Sequence, residues 1–328
     1  MTEEIAHHAV MMTGDCRALR GLTYIAVPGE GDLMAADFSL GMLTDVMRSA
    51  CRTAGLDPEG AELLRLGENA IYKLVSDAVV VRIARGQERL PVVEKELCVA
   101  SWLQTSGVPA VQAYSEVAQP IVVDGYPVSF WKAITPDEPS PGPADLAKLL
   151  RRFHDAGDPP CELPEFDPLY QVEPRLDAAR AVRDEDLDFL RARCRDLVKR
   201  YAELEFALPY GPIHGDAHTG NLLRADGQVV MLDFEVVARG PREWDLMPIS
   251  ISRQRFGLPE EQYRAFCNAY GFDVRSWQGY TVLRDVRELT MTTWLMQNVG
   301  EDPRIAEEFA HRVRSLREGD RDVVWHPF

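Results

Sequence analysis

The chain has 328 residues, 46% hydrophobic and 27% charged, a composition that belongs to a folded globular protein and excludes a disordered one. A formal net charge of −16 argues against a nucleic-acid-binding surface, which needs clustered Lys and Arg, and would suit a cationic small molecule. There is no run of about 18 apolar residues to span a membrane, and the N-terminus carries no cationic-then-apolar secretory pattern.

Six cysteines (Cys16, Cys51, Cys98, Cys161, Cys194, Cys267) are scattered without a CxxC pair, so reduced thiols and a cytoplasmic location are expected. Residues 1–36 mix glycine, charge and short apolar patches and are expected to form a flexible extension. From Phe38 to Ala54, Leu40, Leu43, Met47 and Ala50 recur at helical spacing, and Gly55 is a natural stop. A β-rich segment follows, with strands expected at Glu62–Leu66, Ile71–Val75 and Val79–Ala84. "VVEKELCVASWLQTSG" then reads as a helix ended by Gly107, and "PIVVDGYPVSFWKAI" as a hairpin turning at Asp124-Gly125.

The stretch Thr135–Pro143, "TPDEPSPGP", is the strongest linker signal in the chain. It divides a smaller lobe over residues 37–134 from a larger one over 144–328. The larger lobe is mainly helical, with "ADLAKLLRRFHDAG" and "EDLDFLRARCRDLVKRYAEL" as amphipathic helices. "LLRADGQVVMLDFE" adds a hairpin turning at Asp226-Gly227, and helices resume near Pro241.

Between these helices lies "PIHGDAHTGNLL", where His214, Asp216, His218 and Asn221 crowd into eight positions. Bracing of a surface loop is the bland account of such residues. A His-and-carboxylate transition-metal site through His214, His218 and Asp216 is another alternative, and His218 otherwise reads as a bystander or a wall. Phosphoryl transfer explains more of the pattern. It needs a carboxylate to orient the acceptor hydroxyl and oxygen ligands for Mg²⁺. Kinase catalytic loops space that carboxylate and an asparagine metal ligand as Asp216 and Asn221 are spaced here, and a second aspartate follows a hairpin, as Asp233 does in "MLDFE".

These residues resemble the aminoglycoside phosphotransferase family of small-molecule kinases. "HGDAHTGN" fits its H-G-D-x-x-x-x-N loop, "MLDFE" is similar to its metal strand, and "GPREWDL" resembles a G-x-P-x-x-D-L element, with Gly, Asp and Leu in register and the proline one place early. The resemblance covers about residues 60 to 300. It implies an α+β, bilobal protein-kinase-like fold, with a β-rich small lobe over the nucleotide and a helical large lobe carrying the catalytic and acceptor sites. It also implies Asp216 as catalytic base or orienter, Asn221 and Asp233 as Mg²⁺ ligands, and His214 and Asp245 as supports.

The nucleotide end is read from the small lobe. Gly67 and Asn69, in "RLGENAIYKL", stand where the family has a reduced glycine loop. Alternation sends Val80, Arg82 and Ala84 to one face of the third strand. Arg82 occupies the place of the kinase lysine, with Glu96, or alternatively Glu94, as its partner, and Val80 against the base. A hinge around Lys132 to Ile134 would carry the base, ATP and GTP being equally open.

Candidate acceptor-wall residues are Glu235, Arg242, Trp244 and Glu288. Carboxylates there would suit an amino sugar; the resemblance implies a small hydroxyl-bearing acceptor, an antibiotic such as an aminoglycoside being one, and the sequence does not choose among the family's acceptors. Macrolides, nucleoside antibiotics, choline-like or homoserine-like alcohols are alternatives, as is a nucleotide-binding pseudoenzyme. A protein kinase is disfavoured, because only four residues separate "DFE" from "GPREWDL" and no A-P-E follows.

Overall fold

A computed structural model of the chain describes residues 39–328 except Glu68, so the expectation for residues 1–36 lies outside the described part. The first helix, α1 (Leu40–Ala54), starts where the Ser39 hydroxyl accepts from the Met42 amide. It stops at Gly55, whose φ of 72° only glycine adopts freely, and Leu43, Val46, Met47 and Ala50 form its buried face.

Five strands then build one antiparallel sheet: β1 (Glu62–Leu66), β2 (Asn69–Lys73), β3 (Val79–Ala84), β4 (Ile121–Val123) and β5 (Tyr126–Lys132), in the order β1-β2-β3-β5-β4. The second strand begins two residues before the expected Ile71. The chain turns sharply at Gly67, whose amide donates to Asn69 O, and Asn69 already pairs with Ala84. In β3 the alternation expected from sequence is present. Val79, Val81 and Ile83 are buried with Phe130 and the α1 face in one core cluster, while Val80 packs toward a second, larger cluster.

The helix α2 (Leu90–Thr105) follows β3. After an irregular stretch over residues 133–142 the larger lobe begins with α3 (Pro143–Asp155), α4 (Val172–Ala178) and α5 (Asp184–Ala202). Two small antiparallel sheets come next, β6 (Tyr210–Ile213) with β9 (Ala238–Pro241) and β7 (Leu222–Ala225) with β8 (Gln228–Met231). The chain ends with α6 (Glu243–Arg255), α7 (Glu260–Tyr270), α8 (Tyr280–Met296) and α9 (Pro303–Glu318). Both Asp-Gly turns take the left-handed conformation at each central residue, with φ of 50° and 83° at Asp124-Gly125 and 50° and 71° at Asp226-Gly227. Among the described residues no helix is long and apolar enough to cross a membrane.

The packing of α2 positions the site. Its Val99, Ala100, Trp102 and Leu103 belong to the larger core cluster, with α3 and the catalytic-loop region, rather than to the cluster under the sheet. Lys95 Nζ donates to the carbonyls of Glu235 (2.7 Å) and Val237 (2.8 Å). Cys98 of the same helix is joined by a disulfide to Cys161, in the segment after α3. This corrects the expectation of reduced thiols throughout. The two cysteines are 63 residues apart and meet only because α2 docks on that segment, so no local spacing signals the pair. Cys51, Cys194 and Cys267 are free.

Candidate active site

The loop from His214 to Asn221 leaves β6 and is held from behind by the start of α6. Asp245 accepts from the amides of His214 (2.6 Å, Oδ2) and Gly215 (2.8 Å, Oδ1). Its Oδ2 also meets His154 Nε2 at 2.9 Å, and His154 Nδ1 lies 2.8 Å from the Tyr270 hydroxyl. Burial lowers the His154 pKa against the opposing pull of Asp245. With a carboxylate at Nε2 and a hydroxyl at Nδ1, the ring donates from Nε2 to Asp245 and can accept from Tyr270 at Nδ1. The neighbouring Trp244 donates its indole N–H to Gly215 O at 2.8 Å, and His214 Nε2 bonds Leu232 O at 2.9 Å. Gly215 itself has φ 85°, and a Cβ there would sit 2.5 Å from Val236 O, so this position requires glycine.

Asp216 projects from this braced loop with its side chain 42% exposed. Asn221 donates its amide N–H to Asp216 O at 2.9 Å, which leaves the Asn221 side-chain oxygen available as an acceptor. Oδ1 of Asp216 accepts from Arg287 Nη2 at 3.1 Å, and Oδ2 lies 3.3 Å from His218 Nε2. Because His218 Nδ1 accepts from the Gly220 amide at 3.1 Å, its proton is on Nε2 and points at Asp216. Burial alone would raise the pKa of Asp216. The hydrogen bond from His218 and the charge of Arg287 overcome it and hold the carboxyl well below the usual range. Asp216 is therefore a permanent carboxylate and a weak base, suited to orienting a hydroxyl.

Opposite lies a group of acids. Asp233, just past β8, has φ 60°, a conformation that costs a non-glycine residue about 1–3 kcal/mol. Carboxylate oxygens of Asp233, Glu96 and Glu235 all lie within 4.8 Å of one another. Arg82 reaches into the group, ion-paired to Glu96 and, at 2.9 Å, to Glu235, while Arg89 pairs with Glu235 as well. Glu96 is only 2% exposed, and burial pushes its carboxyl up to about 7; Arg82 opposes this, and the charges of Glu235 and Asp233 add to it. This crowding of oxygen donors fits a hard divalent cation such as Mg²⁺, whose charge would relieve the repulsion. The transition-metal alternative lacks support. His214 is buried and turned to Leu232 O, and no histidine or cysteine joins the acidic group among the described residues.

Of the residues nominated from sequence, Arg82, Glu96 and Asp233 meet in one place, and Asn69 reaches it through Glu235 (Nδ2 to Oε2, 3.4 Å). Gly67 forms the turn before β2, and Val80 lies on the Arg82 face of β3. In the hinge, the Lys132 amide donates to Gln112 O and the Ala133 amide to Ala78 O, and Ile134 is the first residue there whose N–H makes no such bond among the described residues.

The acceptor-wall expectations need correction. Glu288 is fully buried and paired with Arg255 at 2.6 Å, because its helix turns that position into the core. Glu235 faces Arg82 and Arg89, on the side of the glycine turn, because the chain reverses after Asp233. Trp244 is buried against the catalytic loop. Arg242 lies 3.8 Å from Asp155, at the end of α3. Arg287, Lys95 and Arg89 were not nominated, and nothing in their local sequence marks them. His218, read from sequence as a wall, a bystander or a ligand in the transition-metal alternative, instead donates to Asp216.

The comparisons agree with this geometry. Residues 62–286, more than half of the chain, match the model of the phosphotransferase enzyme family. No curated protein matches. Among solved structures, an amicoumacin kinase in complex with AMP-PNP and Ca²⁺ superposes with a TM-score of 0.69 at 14% identity, covering 88% of this chain and 96% of its own. A microcompartment-associated aminopropanol kinase gives a TM-score of 0.65 at 17% identity, covering 85% and 95%. A choline/ethanolamine kinase family protein from Mesorhizobium loti gives 0.60 at 15% identity, covering 86% and 96%. At these identities the likeness establishes the two-lobed kinase-like fold.

Proposed function

This chain belongs to the phosphotransferase enzyme family, and from that premise we propose that it moves the γ-phosphoryl group of ATP or GTP, with Mg²⁺, to a hydroxyl of a small molecule. An antibiotic of the kind exemplified by aminoglycosides is the proposed acceptor, and inactivation of that antibiotic the proposed role. The observation that carries the reading is Asp216, a half-exposed carboxylate fixed by a loop whose every anchor is internal.

In the proposed mechanism Asp216 accepts a hydrogen bond from the acceptor hydroxyl and aims its oxygen along the line of transfer. Being a weak base, it takes the proton late, as the bond to phosphorus forms, which suits a loose transition state. Asn221, through its side-chain oxygen, and Asp233 would hold the metal, which when bound neutralises charge between the phosphates. Arg82, oriented by Glu96, grips phosphate oxygens from the sheet. Gly67 and Asn69 cover the phosphates, Val80 lies against the base, and the Ile134 amide meets its edge beyond Lys132. His214 and Asp245 act through the loop they hold.

The test is mass spectrometry of a pooled hydroxyl library (aminoglycosides, macrolides, nucleoside antibiotics, choline-like alcohols) incubated with the protein, Mg²⁺ and either nucleotide. A gain of one phosphate on one compound, absent with Asp216→Asn, supports the reading. Undiminished transfer by Asp216→Asn would remove Asp216 from its role. The relatives described as choline kinase and aminopropanol kinase support a second reading, in which the acceptor is a small metabolic alcohol. The same library distinguishes the two.

A further inference from the structure

Away from the catalytic loop, α5, α8 and the C-terminal tail bring arginines together in an otherwise acidic protein. Asp285, on α8, is the centre and is 5% exposed. Its Oδ1 accepts from Arg284 Nε and Nη2 (3.0 and 2.8 Å) and lies 3.3 Å from Arg321 Nη2. Its Oδ2 lies 3.4 Å from Arg193 Nη2 and 3.9 Å from Arg200 Nη1. One turn on, Glu288 takes Arg255 at 2.6 Å and Arg321 at 3.0 Å. Asp196 completes the group, 3.3 Å from Arg200. Five guanidinium groups thus share three carboxylates, and the positive side is in excess although the whole chain carries −16.

The excess concentrates on Arg193. Its side chain is 17% exposed, and its Nε and Nη2 are buried without a hydrogen-bond partner among the described residues. The 3.4 Å approach to Asp285 is an ion pair by distance but not a formed hydrogen bond. Desolvation is the largest influence on Arg193 and lowers its pKa, with Asp285 and Glu288 opposing, so the fold as it stands compensates this cation incompletely. A buried charge in that condition is costly unless an opposite charge reaches it. Arg200 and Arg321, at 40% and 35% exposure, leave the group open to solvent on one side.

We propose that Arg193, Arg200, Arg284 and Arg321 form an anion site between α5, α8 and the C-terminal tail, and that its ligand is a phosphate group. Four forked guanidinium groups offer more donors than the oxygens of Asp285 can use, and phosphate presents the additional acceptor oxygens and charge that they match in pairs. None of these residues belongs to the catalytic loop, to the acidic group around Asp233, or to the hinge. The site is separate from the nucleotide reading and stands without it.

Thermal melts in EDTA test the site, with potassium phosphate titrated against potassium chloride at matched ionic strength. The expected result is a saturable rise in midpoint, on the order of 3 °C at tenfold over the dissociation constant. It should be lost in Arg193→Met, reduced in Arg200→Gln and retained in Arg82→Met. Equal rises with inorganic phosphate and glycerol 2-phosphate would mean that the site reads the phosphate group alone. A rise only with the ester would mean that it seats a phosphorylated small molecule. No rise beyond chloride with either compound would overturn the proposal, as would a rise that survives Arg193→Met or vanishes in Arg82→Met. Should Arg193→Met fail to fold, an undiminished rise in Arg200→Gln, whose side chain is exposed, would overturn it equally.

Discussion

Arg287, on α8, donates to Oδ1 of Asp216 at 3.1 Å, across 71 residues of sequence, while its guanidinium lies 5.2 Å from the centre of the Trp244 ring. The arginine is thus held on the residue that braces the loop and points at the carboxylate the loop presents. Arg287→Met should leave nucleotide affinity within about twofold and lower kcat on the order of 10²-fold, the usual effect of a misplaced catalytic group. Arg287→Lys should recover part of the loss. Steady-state kinetics beside a nucleotide titration will separate the two parameters, and a change confined to nucleotide affinity would count against the assignment.

Asp233 sits in strained backbone within a group of three acids. Asp233→Asn removes one negative charge and keeps the size. It should abolish the Mg²⁺-dependent part of nucleotide binding and leave the metal-independent part in place. Calorimetry with Mg²⁺ and with EDTA reads both parts. Equal metal dependence in the two proteins would contradict the role proposed for Asp233.

Gly215→Ala places a methyl group 2.5 Å from a backbone oxygen in left-handed backbone. The opposing atom is main chain and cannot swing away, so about 1–3 kcal/mol of strain is expected. The melting midpoint should fall by several degrees, and transfer should be lost with it because the displaced loop carries Asp216. A variant as stable as the parent would show that the loop has slack.

Glu260, at the start of α7, has its carboxyl lowered to about 2 by hydrogen bonds from Arg275 and then Arg253. Above an ordinary carboxyl pKa of 4.5 both folded and unfolded forms are ionised, and the pairing stabilises the fold in full. As pH falls from about 4.5 to about 2 the unfolded form takes up a proton first, so that contribution drains away. Denaturant unfolding of the parent and Glu260→Gln should therefore differ most near neutrality and converge toward pH 2. Added salt should shrink the difference, because Glu260 is 34% exposed.

The Cys98–Cys161 disulfide predicts a native mass two hydrogens below that of the reduced chain. Reduction should lower stability by about 2–4 kcal/mol, as for other bridges that close long loops. Cys98→Ser should melt like the reduced parent and no longer respond to reductant. A parent whose mass and midpoint ignore reductant would exclude the bridge.

Much of the site could be read along the chain because its members recur at short spacings. Asp216 and Asn221 share one loop, "GPREWDL" carries both Trp244 and Asp245, and the two Asp-Gly turns announce their hairpins. The alternation of β3 turns Arg82 away from the buried valines. What escaped is what only folding brings together. Arg287 has no periodic or motif signal, Lys95 looks like any surface lysine, and the cysteines lie far apart. Glu288 shows the converse failure: a carboxylate near the site in sequence is turned by its helix toward Arg255 in the core.

The attachment of α2 has a mechanical consequence. Its apolar side chains, the Lys95 clasp and the covalent bridge bind it to the larger lobe, while Glu96 reaches across to Arg82 on the sheet, which Glu235 of the larger lobe also meets at 2.9 Å. Breathing of the cleft would then swing the sheet like a door over a fixed jamb, with Arg82, held by both Glu96 and Glu235, as its latch.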